Sequence, residues 1–145
     1  MSQRTLLQAE SEQVYKDEVR LAFGHTVVGR VVTTDATTTT LLSIPLLASR
    51  TFLVEVRVVA RRTGGAAGAT DDGAVYVLVG GYTMVGGVAT AISGTTPASL
   101  FSDEDQAGWV ATLDVSGTTV RVRVTGTANN NVTWVGKASV MEVNQ

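Results

Sequence analysis

The sequence predicts an all-β protein: an antiparallel, jelly-roll-like β-sandwich preceded by a short N-terminal arm or helix. Three observations lead there. Thr and Val supply 45 of the 145 residues, and both are β-branched side chains that fit strands better than helices. From about residue 23 onward apolar and polar residues alternate, most clearly at 52–62 and 120–125, as a half-buried strand requires. Between these runs, Gly, Asp, Asn and Ser cluster at turn spacing. A chain this long buries roughly two-thirds of its unfolded surface as one domain.

The elements follow in order. Residues 1–22 carry seven charges of mixed sign and no Gly or Pro. Leu7, Val14 and Leu21 recur every seven residues, and Tyr15, Val19 and Ala22 form a second stripe, the spacing of one helix face. The segment reads either as a short helix packed on its own domain or as an arm that docks a partner. The remainder, 23–145, is the sandwich. Strands are expected at 26–33 and at 38–44, the latter closed by Pro45, which has no N–H to give a ladder and belongs at a strand end or edge. At 51–62, Phe52, Val54, Val56, Val58 and Ala60 point one way, and Glu55, Arg57 and Arg61 the other. Residues 63–73 are a long, flexible hairpin loop. A strand at 74–79 stops at Gly80-Gly81, and short pieces follow at 82–85 and 88–92. Residues 93–108 read as loop. Strands at 109–115 and 118–127 flank a tight turn at Ser116-Gly117, and Asn129-Asn130-Asn131 turns the chain into the last strand, 132–143. Phe52, Val54, Val56, Val58, Val122, Val124 and Trp134 are the expected core. Leu53 and Val59, opposite that row, give this strand a second apolar-rich face.

Composition narrows the function. A net charge of -2 removes general attraction to nucleic acid or anionic membrane. No apolar run reaches the roughly 18 residues of a membrane helix, and the first residues contain no apolar core of a secretory signal. With no Cys and one His, disulfides, thiolate chemistry and multi-histidine metal sites are excluded.

The remaining constellations are weak. Asp71-Asp72 with Asp103-Glu104-Asp105 would be a hard-cation site only if the loops converged, and neither has the alternating spacing of a calcium loop. They read as solvated loop charge. His25 lies beside Gly24 with no nucleophile-elbow motif nearby and reads as structural. The glycine pairs lack the Lys of a phosphate loop and serve turns and bulges. Arg57, Arg61 and Arg62, and Arg121 with Arg123, form basic rows positioned to meet acids on a neighbouring strand or subunit. Trp109, Trp134 and Tyr76 read as core aromatics, with a sugar-stacking platform as the sharper alternative. No catalytic residue, metal or cofactor is expected.

Three stretches carry a family resemblance: TTTTLLSIPLLASRTFLVEVRVVARR at 37–62, DDGAVYVLVGG at 71–81 and GTTVRVRVTGTANNNVTWVGKASVMEVNQ at 117–145. The last, with V-x-V-T-G, then V-x-W and a closing E-V, is the most recognisable. From about residue 38 to the C-terminus the chain resembles a module common among virion proteins of tailed bacteriophages. In that family a β-sandwich is appended to tail fibres or stands alone as a small head or tail protein, typically a homotrimer. The resemblance consists of strand-and-turn patterns and brings no catalytic residue with it.

The resemblance implies a non-enzymatic virion component, assembled in the host bacterial cytoplasm, whose partners are a major capsid protein or a tail or neck subunit. The sequence holds no collagen-like or heptad repeat for a shaft, and an arm of 20 residues reaches at most about 66–72 Å. These features favour a trimeric capsid decoration, cement or head-fibre protein. A tail-fibre or tail-tip module that binds host-surface carbohydrate is the alternative, and a free-standing carbohydrate-binding module or lytic enzyme comes third. In the arm reading Leu6, Leu7, Val14, Tyr15 and Leu21 are apolar anchors, and Arg4 and Arg20 supply polar contacts.

Overall fold

The computed structural model describes residues 24–94 and 97–144. Among them are nine strands: β1 (Gly24–Thr33), β2 (Thr39–Pro45), β3 (Arg50–Gly65), β4 (Gly73–Val85), β5 (Val88–Ala91), β6 (Ala98–Glu104), β7 (Val110–Ser116), β8 (Thr119–Thr125) and β9 (Asn130–Asn144). Every pairing is antiparallel. The larger sheet runs β1-β9-β3-β4, with β5 and β6 sharing the far side of β4, and the smaller runs β2-β8-β7. The arm or helix expected at 1–22 lies outside the described residues.

The two sheets close face to face over one core, as period-two alternation demands. Phe52, Val54, Val56, Val58 and Ala60 face inward from β3 and meet Val120, Val122 and Val124 of β8, all buried. Each fully buried Val or Phe contributes about 1.5–3 kcal/mol of transfer free energy. Trp134 of β9 sits between Tyr76 and Trp109, with ring centroids 6.3 and 5.8 Å away. Its indole N–H donates to Thr33 Oγ1 at 2.9 Å, so the largest core side chain is also satisfied. Pro45 ends β2 on an outer edge of the smaller sheet, where no ladder N–H is missed.

Glycines decide two details. Gly29 and Gly136 are cross-strand partners on β1 and β9. Above them the register of β2 shifts between Thr40 and Leu42, and both Leu41 and Leu42 turn inward. A Cβ on Gly29 would lie 2.6 Å from Leu42 Cδ2 and 2.7 Å from the Leu41 carbonyl oxygen. The second detail corrects an expectation: the strand does not stop at Gly80-Gly81, and β4 runs through to Val85. Gly80 is bare because the Tyr82 ring folds over it, 2.6–2.8 Å from where a Cβ would stand. These glycines make room for neighbours and do not turn the chain.

The expected loop at 93–108 is a second correction, because it contains β6. All seven residues of that strand are exposed and its pairing with β4 is interrupted between Val77 and Leu78, so no alternation marks it. The hairpin loop is shorter than expected, since β3 continues to Gly65, and it is tied down. Arg62 Nε donates to the Ala67 carbonyl at 2.8 Å. Asp72 Oδ2 accepts from the Ala69 amide and from Gln106 Nε2, each at 2.7 Å.

Candidate functional site

The outer faces of the two sheets differ in chemistry. On the smaller sheet Arg121 is paired bidentately with Asp114, both contacts at 2.8 Å, across the β7–β8 register. Arg123 donates to Thr40 Oγ1 at 2.7 Å. That face is polar and internally paired.

The outer face of the larger sheet is largely apolar. Strand alternation places Leu53 and Val59 of β3, Val135, Met141 and Val143 of β9, and Val28 of β1 there, with exposures of 45–70%. At one end Leu53, Gly81, Ile92, Met141 and Val143 line a shallow apolar groove of about 550 Å³. Gly81 keeps it open: a Cβ there would reach 3.3 Å from Ile92 Cδ1. Next along the strands lies a polar band of Thr26, Ser139, Glu55, Arg57 and Lys137 around a hollow of about 290 Å³, with Arg57 Nη2 3.5 Å from Glu55 Oε1. Beyond it a row crosses the whole sheet: Arg30, Val135, Val59, Val75 and Asp103, register partners from one edge to the other. The edge strand β6 adds exposed Leu100 and Phe101. This surface, five strands wide, is the candidate functional site.

The constellations singled out in the sequence land elsewhere. The acidic loops do converge, but Asp72 and Asp105 accept backbone amides (Ala69, and Gly73 at 2.8 Å), and Asp71 pairs with Arg61 at 3.4 Å. No group of three or more potential ligands forms among the described residues. His25 Nδ1 is buried without a hydrogen-bond partner among the described residues. The basic residues are spread over both outer faces and the hairpin loop, so they form no continuous track. Trp109, Trp134 and Tyr76 are core, and the sugar platform is absent from them. Burial, with a smaller contribution from Glu104, raises the Tyr76 hydroxyl far above its ordinary pKa. Burial, assisted by Asp114, pushes Tyr82 up to about 12. Both therefore stay protonated near neutrality, and neither supplies a phenolate there. Arg4, Leu6, Leu7, Val14, Tyr15, Arg20 and Leu21 lie outside the described residues.

Sequence reading named Leu53 and Val59 but missed Arg30, Val135, Met141 and Ile92. The available signal was in β9, where Val135, Lys137, Ser139, Met141 and Val143 form the alternate row opposite the core.

The sequence matches no family model and no curated protein. In structure it is similar to the tailspike protein of Acinetobacter baumannii phage AM24, with a TM-score of 0.50 and 11% identity. Its fold resembles one portion of a phage tailspike. The match covers 81% of this chain and 26% of the tailspike, so the chain spans about a quarter of that protein's length. The tailspike of Acinetobacter phage vB_ApiP_P1 aligns more loosely, with a TM-score of 0.44 and 13% identity over 84% of this chain and 22% of that one.

Proposed function

We propose that this chain is a non-catalytic structural module of a bacteriophage virion, built into a tail-spike or tail-fibre appendage. There it helps present the appendage to the host surface. The observation that carries the reading is the likeness of its sandwich to a portion of a tailspike. The virion-protein resemblance of residues 37–62, 71–81 and 117–145 agrees with it. The non-catalytic part rests on how the acids are used. The two buried carboxylates among the described residues are Asp72 and Glu142. Asp72 holds loop amides, and Glu142 pairs with Arg50 at 3.2 Å. Glycosidic chemistry needs a facing pair left free for a substrate. In this reading the chain associates with copies of itself, and the other partners are virion subunits.

Capsid decoration is the first preference of the sequence, but the tailspike likeness supports the tail-appendage alternative better. Immunogold labelling of the phage particle that contains this chain separates the readings. Label on the tail appendage is expected. Label spread over the capsid would establish decoration instead, and no label on intact or opened particles would reject the virion reading altogether.

A further inference from the structure

We infer that the outer face of the larger sheet, together with edge strand β6, is the contact by which copies of this chain associate. The inference deepens the assembly part of the proposed function by naming its surface.

Antiparallel sheets that face water on one side carry polar residues there. The smaller sheet obeys this; the larger obeys it only in the band of Thr26, Glu55, Arg57, Lys137 and Ser139. Leu53, Val59, Met141 and Val143 leave about half or more of their surface to solvent; single exposed apolar residues are ordinary, but here they group into two apolar zones on either side of the polar band, and grouped apolar surface marks an interaction site. Its size fits a protein partner. Five strands about 4.8 Å apart and five alternate rows about 6.8 Å apart span roughly 500 Å², which with the exposed β6 edge is of the order that one partner contributes to a specific interface. Strand β6 gives the same indication, since Leu100 and Phe101 are exposed on a sheet edge, a position that isolated proteins protect with charge or cover.

Charge selects a second copy as the occupant. The row Arg30-Val135-Val59-Val75-Asp103 places a cation at the β1 edge, an anion at the β6 edge and three valines between. Both charged residues are exposed, and neither takes part in an ion pair among the described residues. Such a row is complementary to itself. A second copy placed face to face in reverse sets Asp103 against Arg30 and valine against valine. Self-complementarity of this kind is what a homo-oligomeric contact needs.

The test is sedimentation equilibrium of the full chain to concentrations of about 100 μM, where a Kd near 1 μM leaves most chains associated. Wild type is expected at a multiple of 15.1 kDa. Val59→Glu should weaken association by at least about tenfold, as loss of a central interface contact does, with the β-type circular dichroism unchanged. Arg30→Asp and Asp103→Arg should each weaken it, and the double exchange should restore it. A wild type that stays at 15.1 kDa would overturn the inference, as would Val59→Glu or the single exchanges leaving association intact. The chain has no cysteine, so the thiol introduced by Val59→Cys reports cover directly, with Thr112→Cys on the smaller sheet as the open control. Protection of the Val59→Cys thiol in a monomer would mean the chain's own terminal segment covers the face, which also overturns the proposal. Association that survives while particles fail to label would sink the virion reading alone.

Discussion

Replacing Gly29 by Ala sets two physical effects of opposite sign against each other. Intrinsic preference favours the change, since Gly in a strand interior costs roughly 0.5–1 kcal/mol relative to Ala. Packing opposes it. The new methyl would stand 2.6 Å from Leu42 Cδ2 and 2.7 Å from the Leu41 carbonyl oxygen. Leu42 is buried at 3% exposure, so its methyl can move only by displacing core neighbours or filling a void between them. The carbonyl belongs to the irregular stretch of β2 between Thr40 and Leu42, so relieving that contact means moving backbone. Overpacking of this kind costs about 1–3 kcal/mol. After the propensity gain is subtracted, the net loss is about 0–2.5 kcal/mol, and the melting temperature of a domain this size should fall by up to about 10 °C. The assay is urea unfolding followed by circular dichroism, where the midpoint should drop at constant slope. A variant more stable than wild type would refute the reasoning: β2 would then not press on the Gly29–Gly136 pair, and the way the two sheets are closed over β1 would be wrong.

Val56 and Val122 have no exposed surface, so Asp at either position buries an unpaired charge; the cost is several kcal/mol and the expected product is insoluble, a soluble folded variant being the contrary result. Tyr82 is held up to about 12 and Tyr76 is also raised, by burial in both cases, so no more than one of the three tyrosines should give its phenolate absorbance at about 295 nm by about pH 11 while the fold persists. The sign follows: a hydroxyl whose folded pKa lies above its unfolded value of 10 contributes stability in full below pH 10, and for Tyr82 this is lost as pH climbs towards about 12. Asp72→Ala removes the acceptor shared by the Ala69 amide and Gln106 Nε2; a loss of about 1–3 kcal/mol is expected for buried partners left unsatisfied, with new proteolytic cleavage at 66–72, and an unchanged digestion pattern would show that the loop is held by Arg62 alone.

The parts of the fold that were legible in the sequence are those where one strand face is buried and the other is polar. In β3 and β8 every second residue answers to the core, and the charged or Thr positions between them answer to water. Two elements broke the reading for opposite reasons. In β4, Gly80-Gly81 has the sequence of a stop, yet Gly80 is bare to accommodate a ring two residues later in the same strand, a tertiary demand no local pattern encodes. In β6, Ala98 to Glu104 buries nothing on either face, so no period exists to detect; its pairing rests on backbone bonds to β4, which are the same for any sequence.

The candidate surface was half visible for a related reason. Alternation tells which residues share a face, and it separated Leu53 and Val59 from the Phe52–Ala60 row without ambiguity. It does not tell what lies beyond that face, because an apolar residue there is compatible with solvent, with a third layer or with another chain. Register supplies the missing information. Only when β1, β9, β3, β4 and β6 are laid side by side do residues as far apart in sequence as Arg30 and Asp103 fall on one line, with Val59, Val75 and Val135 between them. Within its own strand, each of these valines is an ordinary strand former that happens to be exposed. Across the sheet, they are the middle of a band with opposite charges at its ends, the arrangement on which the proposed contact between copies rests.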